Sequence, residues 1–180
     1  MKFKYVCIEL SGYGDIETEV RQQPTKAMRV AGYLNDNIWK NKYIGVKVKS
    51  RIYKAVVRPI MTYTAETRSA TAKTRKSLET GEMKILRKIA GKTLLDRERS
   101  DNIKQTCKVG SINEWVLSRR REWNEHIGRM DEGRIVRSAR DKSPLGRRST
   151  GRPRKRWCDI LTIDSNCRHD VKNEQAICLI

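Results

Sequence analysis

The chain of 180 residues has 40 lysines and arginines against 21 acids, a formal charge of +19, and only 37% apolar residues. This charge favours polyanionic partners, either nucleic acid or an acidic membrane surface, and the low apolar content limits the size of the core. No segment approaches the ~18 consecutive apolar residues of a membrane-spanning helix, which excludes that class. The first ten residues lack the apolar stretch of a signal peptide. We therefore expect an intracellular protein, nuclear or cytoplasmic, that is not secreted.

The first part of the chain predicts a strand and then a helix. The segment MKFKYVCIEL is rich in aromatic and β-branched residues, which favour a short strand, and the turn-forming segment SGYGD follows it. Apolar residues then recur at helical spacing as far as Ile38. Pro24 lies inside this pattern and either kinks the helix or moves its start to about Thr25. We predict a helix over 25–39.

Two further helices are predicted in the middle of the chain. Apolar spacing indicates one over 46–58, which Pro59 should end. The segment IMTYTAE after it forms either another turn of helix or a short extended piece. The next fits 71–90, with Gly91 as the residue that follows its C-terminus. The face of this helix opposite its apolar stripe carries five cations: Lys73, Arg75, Lys76, Lys84 and Lys88.

A fourth helix is predicted over 112–128. It begins at the segment SINE, a capping box in which the Ser111 hydroxyl accepts from one free amide and Glu114 reaches back to another. The segment DEGRIVRSARDK after it has room for one more helix, and glycines, prolines and charges beyond it favour a loop or disorder. The predicted fold is mainly α, with a short N-terminal strand and a basic, partly disordered C-terminal segment. The predicted divisions are 1–15, 16–95, 96–142 and 143–180.

No pattern for catalysis or metal binding is found. The chain has no phosphate-binding glycine loop, no nucleophile elbow and no clustered carboxylate pair, and its two histidines are His126 and His169. Cys158, Cys167, His169 and Cys178 have the spacing C-x8-C-x-H-x8-C, whereas zinc sites pair their ligands two to four residues apart. We therefore predict no metal, no cofactor and no small-molecule substrate, and we expect the five cysteines to be free thiols.

The strongest binding signal is a basic segment near the C-terminus. From Arg119 to Trp157 the chain has 14 lysines and arginines against five acids, and 12 of the 14 are arginine, which binds phosphate through a planar fork. Trp157 ends the segment and offers a face on which a base could stack. We predict that these residues bind RNA or DNA, mainly through phosphate: Arg147, Arg148, Arg152, Arg154, Lys155, Arg156 and Trp157.

Two alternatives for this segment remain open. In the first alternative, the segment is a solvated tail, and Trp157 anchors it to the helical core. In the second, TGRPRK inserts arginine into the narrow minor groove of A·T-rich DNA, as hooks with an Arg-Gly-Arg-Pro core do, although Thr150 stands in place of the first arginine.

Five segments, in order along the chain, resemble the C-terminal portion of LINE-type (non-LTR) retrotransposon reverse transcriptases: FKYVC, IYKAVVRPIMTYTAE, KILRKIAG, RRREWNEHIGRM and GRPRKRWCD. The positions that match family patterns are Phe3, Tyr5, Arg58, Pro59, Tyr63, Glu66, Trp123, His126, Arg129, Met130, Gly151, Arg152, Pro153, Arg156, Trp157 and Asp159. The chain departs from those patterns where Cys7 and Glu125 replace glycines and Arg68 replaces an aromatic residue.

The resemblance implies that 1–15 is a remnant of the polymerase palm edge, with Phe3 and Tyr5 in a primer-grip-like strand. It also implies a helical thumb-like bundle over 16–95, a post-thumb segment over 96–142 and a basic tail. The paired palm aspartates of the family would lie upstream of Met1, so we expect no polymerase activity from this chain alone. Two other functions stay open: a stand-alone DNA-binding protein, and a decayed fragment with no selected function.

Overall fold

The structure is a computed structural model that describes residues 2–5, 8–11, 16–68, 71–142, 150–151, 157 and 161, with side chains from residue 22 onward. Its elements follow in the order β1 (Lys2–Tyr5), β2 (Ile8–Ser11), α1 (Ile16–Tyr33), a first π-helical turn (Asn35–Trp39), α2 (Val46–Ile52), a second π-helical turn (Tyr53–Val57), α3 (Arg58–Met61), α4 (Ala72–Ala90), α5 (Ser100–Cys107), α6 (Ile112–Gly128) and α7 (Ile135–Asp141). The mainly helical fold predicted from the sequence is confirmed.

The N-terminal residues form two strands, whereas the sequence predicted one. β1 and β2 pair in antiparallel fashion, with Phe3 opposite Leu10 and Tyr5 opposite Ile8. Pairing satisfies backbone N–H and C=O groups that a lone strand would leave open on both edges.

The first helix begins earlier than predicted and keeps Pro24 in its interior. α1 starts at Ile16, and Pro24 is buried against α4 beside Gly81. Tertiary packing of this kind offsets the hydrogen bond that a proline removes from a helix. The predicted C-terminal part, up to residue 39, is helical but changes geometry, because the Trp39 amide binds the Leu34 carbonyl at 3.1 Å, five residues back.

The prediction that Pro59 ends the second helix is wrong. The helical path continues from α2 through the second π-helical turn into α3, and Pro59 occupies the first turn of α3. In an α-helix the proline ring clashes with the carbonyl four residues back. Here the Arg58 amide binds the Tyr53 carbonyl, a five-residue bond, so the wider turn directly before Pro59 admits the ring without ending the helix.

The later helices agree closely with the sequence, with one addition. α4 and α6 have the predicted positions, and α7 lies in the segment with room for one more helix. α5 was not predicted because only Ile103 and Cys107 of its eight residues are apolar and buried. Gly91 ends α4 in a left-handed conformation at φ 66°, and its amide and that of Lys92 bind carbonyls of the last turn, as predicted for a glycine after a helix.

α4 is the central helix of the bundle, and α1, α2, α5 and α6 pack around it. Ile85 and Leu86 of α4 share one hydrophobic cluster with Tyr53, Ile103 and Ile112. Residues on both sides of the predicted 95/96 division therefore contribute to the same core. None of the helices in the described ranges has the length and apolar character needed to cross a bilayer.

Candidate nucleic-acid interface

Most of the residues predicted to bind nucleic acid lie outside the described residues: Arg147, Arg148, Arg152, Arg154, Lys155 and Arg156. Phe3 and Tyr5, predicted to be primer-grip-like, lie on β1, where the structure describes the backbone pairing. Trp157 is the member of the predicted set whose side chain is placed.

Trp157 contacts the helical body of the protein. Its side chain is half-buried, and its indole Nε1 donates a hydrogen bond of 2.6 Å to the carbonyl oxygen of Glu66. Leu161, four residues further along the chain, is buried. This contact favours the interpretation in which Trp157 anchors the C-terminal segment to the core. An anchored indole has one polar end already bound to protein, which restricts the orientations in which a base could stack on it.

The turn that receives Trp157, residues 62–68, is also held by a buried arginine of α6. Arg120 is 2% exposed, and its Nε and Nη2 donate to the Ala65 carbonyl at 3.1 and 3.0 Å. Nη2 also donates to the Arg68 carbonyl at 2.6 Å. Burial, together with nearby Arg68 and Arg75, lowers the pKa of Arg120 to about 10, so the guanidinium remains charged at neutral pH. We call residues 62–68 with Arg120 and Trp157 the braced turn.

A second arginine contact joins α3 to α6 close to this turn. The Arg58 guanidinium carbon lies 4.6 Å from the ring centre of Trp115, and that of Arg119 lies 5.8 Å from it. Both distances are within the range of a cation–π interaction. Arginine therefore connects α6 to the 58–68 segment through an aromatic face as well as through carbonyl groups.

The N-terminus of α6 is capped differently from the prediction. Ser111 is the N-cap residue, but its side chain makes no capping hydrogen bond. The Ile112 amide instead donates to Oε2 of Glu82 at 3.3 Å, and the Tyr53 hydroxyl donates to Glu82 Oε1 at 2.9 Å. The buried Glu82 of α4 therefore ties together the second π-helical turn and α6, and a carboxylate at a helix N-terminus is favoured by the helix dipole.

Burial is the main influence on the pKa values of Glu82 and Tyr53. It raises the pKa of Glu82, against the hydrogen bonds from Tyr53 and Ile112, which lower it. Burial and the neighbouring charge of Glu82 also raise the pKa of Tyr53. Sequence reasoning missed Glu82 and Arg120. The available signal was that each is a charged residue placed within the apolar stripe of its helix, Glu82 between Leu78 and Ile85.

The solvent face of α4 is cationic over its whole length. The exposed residues Lys73, Lys76, Lys84 and Lys88 recur at helical spacing and extend over about 22 Å at 1.5 Å per residue. The ammonium groups of Lys76, Lys84 and Lys88 form no hydrogen bond or ion pair within the described ranges. Glu79 lies on the flank of the helix, where it accepts a hydrogen bond of 2.9 Å from Asn113. We call these four lysines the α4 cationic face.

Arg75 differs from the other predicted cations of this helix. At 100° per residue it projects away from the direction of Lys73 and Lys76, toward the side on which Arg120 lies. The predicted cationic face therefore consists of the four lysines.

The cysteines and histidines give no metal site within the described residues, where no group of three potential ligands is found. Cys107 is a buried free thiol, and His126 is exposed with its ring 5.4 Å from that of Trp123. Cys158, Cys167, His169 and Cys178 lie outside the described residues. No family model, curated protein or solved structure matches this chain.

Proposed function

We propose that the chain binds nucleic acid through phosphate contacts and that it is the thumb and post-thumb part of a LINE-type reverse transcriptase, without polymerase activity of its own. The observation that carries the binding proposal is the α4 cationic face. Lysines usually alternate with acids on a solvated helix, where i,i+4 pairs of opposite charge stabilise it. On this face three of the four ammonium groups have no acidic partner in the described ranges, which leaves them available to an external polyanion.

The geometry of the face suits a phosphate backbone. A duplex carries one charge per about 1.7 Å of axis, so a stripe about 22 Å long meets many phosphates. The face is on a rigid helix whose opposite side is the core of the protein, so the ammonium groups are held in a row without a large loss of backbone freedom on binding. The six cations of residues 147–156 are proposed to add to this attraction.

The proposed family origin is supported by contacts between the segments that carry the resemblance. The RPIMTYTAE segment, the RRREW segment and the GRPRKRW segment each contribute to the braced turn, through Glu66, Arg120 and Trp157. Segments far apart in the chain thus meet at one place in the fold. Their contact at the braced turn gives a physical reason for the three segments to occur together in one chain.

The binding proposal is tested with a matched pair of charge variants. One variant replaces Lys76, Lys84 and Lys88 with alanine, and the control replaces the exposed cations Arg29, Lys47 and Arg51, so both lose the same net charge. Fluorescence anisotropy with a labelled duplex over a salt series gives the slope of log affinity against log salt. We expect the α4 variant to flatten the slope by about 2.7, at about 0.9 per phosphate contact, and the control to flatten it far less.

Equal effects of the two variants would mean that net charge alone governs binding, and an unchanged slope in the α4 variant would refute a role for this face. The absence of polymerase activity is tested separately by primer extension with magnesium and nucleotides. Elongated primer would contradict that part of the proposal.

A further inference from the structure

A cleft of about 510 Å³ lies beside the first π-helical turn, at the end of the bundle reached by the C-terminus of α1. It is lined by Asp36, Asn37, Asn41, Lys42 and Tyr43. π-helical turns are rare and frequently accompany functional sites. The cleft is shallow and largely open to solvent.

The aromatic side chain of this cleft is almost entirely in water. Tyr43 is 99% exposed, whereas Tyr53 of the core is fully buried. Its ring therefore contributes little to folding. An exposed aromatic ring beside amide and ammonium groups is a common arrangement in proteins that stack unpaired bases.

Two buried hydrogen bonds and one at the surface hold the backbone that carries the cleft. Trp39 ends the first π-helical turn, and its Nε1 donates to the Ala31 carbonyl at 2.8 Å. The buried ammonium group of Lys49 donates to the Trp39 carbonyl at 2.7 Å. At the surface, the Tyr43 amide donates to Oδ1 of Asn41 at 2.8 Å, which holds the backbone at this residue. The backbone that carries the ring is thus preorganised, which lowers the entropy cost of binding.

Asp36 of the cleft has a partner within the protein, whereas the side chains of Asn37 and Lys42 are available to a ligand. Asp36 forms an ion pair of 2.8 Å with Lys40, which offsets the repulsion that its carboxylate would exert on a phosphate. The side-chain amide of Asn37 and the ammonium group of Lys42 have no partner within the described ranges. An amide can donate to and accept from the edge of a base, and an ammonium group can bind the adjacent phosphate.

We propose that this cleft binds one unpaired base of a single-stranded nucleic acid, with the base stacked on Tyr43, its edge bound by the Asn37 amide and the neighbouring phosphate bound by Lys42. The inference rests on the proposed nucleic-acid binding and adds to it a site for unpaired bases, distinct from the α4 cationic face. A duplex has no unpaired base to offer, so the cleft discriminates between single and double strands.

The test uses the full chain and labelled oligothymidylate of roughly 12 nucleotides, a length within the usual site size of single-strand binders. A duplex of the same length and an oligonucleotide of abasic residues are the comparison probes. The variants are Tyr43→Ala and Tyr43→Phe, with Tyr33→Ala as the control, because Tyr33 is also an exposed tyrosine, at 75%, but does not line the cleft.

We expect Tyr43→Ala to weaken binding of the single strand about 5- to 150-fold, the range of base–aromatic stacking, and to leave duplex binding unchanged. Tyr43→Phe keeps the ring and should bind as the wild type does, as should Tyr33→Ala. The abasic probe should bind all four proteins equally. Unchanged thermal unfolding of Tyr43→Ala verifies that the fold is intact.

The outcomes separate the inference from the proposed function. If the wild type binds none of the three probes, the proposed nucleic-acid binding fails. If the wild type binds but Tyr43→Ala binds the single strand equally well, or loses duplex binding to the same extent, the cleft is not a site for an unpaired base and the binding proposal stands. An equal loss in Tyr33→Ala would likewise overturn the assignment of stacking to this cleft.

Discussion

Replacing Glu82 separates the two roles of this buried carboxylate, which accepts hydrogen bonds and carries a charge. In Glu82→Ala the Tyr53 hydroxyl and the Ile112 amide both lose their partner inside the protein. Each unsatisfied buried group costs about 1–3 kcal/mol, and the deleted side chain leaves a cavity as well. Release of the buried charge offsets part of this, so we expect a net loss of about 3–4 kcal/mol in the free energy of unfolding.

Glu82→Gln keeps the shape and one acceptor while it removes the charge. The amide oxygen can accept from the Ile112 amide, and the amide NH₂ can donate to the Tyr53 hydroxyl oxygen. We therefore expect Glu82→Gln to differ from the wild type by less than about 1 kcal/mol near neutral pH, because the lost charge–dipole contact is offset by relief of desolvation. Urea unfolding followed by circular dichroism gives both values. If glutamine is as damaging as alanine, the charge itself is required and this reasoning is refuted.

The difference in stability between the wild type and Glu82→Gln should depend on pH. Burial raises the pKa of Glu82 in the folded protein above its ordinary value of 4.5. A carboxyl group whose pKa is raised by folding contributes most to stability at pH values below its pKa in the unfolded chain. That contribution is lost as the pH rises through its pKa in the folded protein. The wild type should therefore lose stability relative to Glu82→Gln as the pH rises from 4.5, and the difference should be constant above the folded pKa. A difference that moves in the opposite direction would show that the carboxylate is net stabilised in its site.

Substitutions at three further positions test the packing around the core. Arg120→Ala should cost about 3–5 kcal/mol in urea unfolding, because the buried Ala65 carbonyl and the part-buried Arg68 carbonyl lose a charged donor. Arg120→Lys should recover only part of this since it lacks the planar fork, and full recovery by lysine would contradict the role of the fork. Trp157→Ala should lower the thermal midpoint. Trp157→Phe, which keeps one aromatic ring but lacks the fused second ring and the N–H of the indole, should lose less, about 1 kcal/mol of it from the missing hydrogen bond. A loss of single-strand affinity at unchanged stability would instead support stacking. Gly81→Ala should stabilise the protein by about 0.5–1 kcal/mol, because glycine is unfavourable in the middle of a helix. The added methyl group would lie 3.6 Å from Met61 and 3.7 Å from Pro24, which are ordinary contact distances. A lower thermal midpoint would show that the contact is too tight.

The sequence predicted those features of the fold that depend on local pattern. The positions of α4 and α6, and the left-handed Gly91, follow from apolar spacing and from the conformational freedom of glycine. The continuation of the helix past Pro59 depends on a π-helical turn, which the apolar spacing did not indicate, and α5 has too few apolar residues to be detected. The cap of α6 could not be predicted, because Glu82 lies 30 residues before Ile112 in the chain.

The candidate site was predicted in part. The cations of α4 were identified from the sequence, and the structure shows that four of them share one face. The anchoring of Trp157 was one of the alternatives. Its partner could not be predicted, because it is a backbone carbonyl and every residue has one. Tyr43 could not be singled out, because its exposure depends on the path of the chain after the first π-helical turn. The six basic residues between 147 and 156 lie outside the described residues, and their role stays a prediction.

The braced turn has a consequence for the order in which the protein is made. Its carbonyl groups leave the ribosome long before their donors, since Arg120 follows Ala65 by 55 residues and Trp157 follows Glu66 by 91. At a synthesis rate of about 5–20 residues per second, these delays amount to roughly 3–11 s and roughly 5–18 s. During that interval α1 to α4 can already pack against one another while the turn remains bound to water. The C-terminal part of the chain therefore completes a fold that its N-terminal part begins, and a chain cut short before Trp157 would retain the helices but lack one of the two supports of the turn.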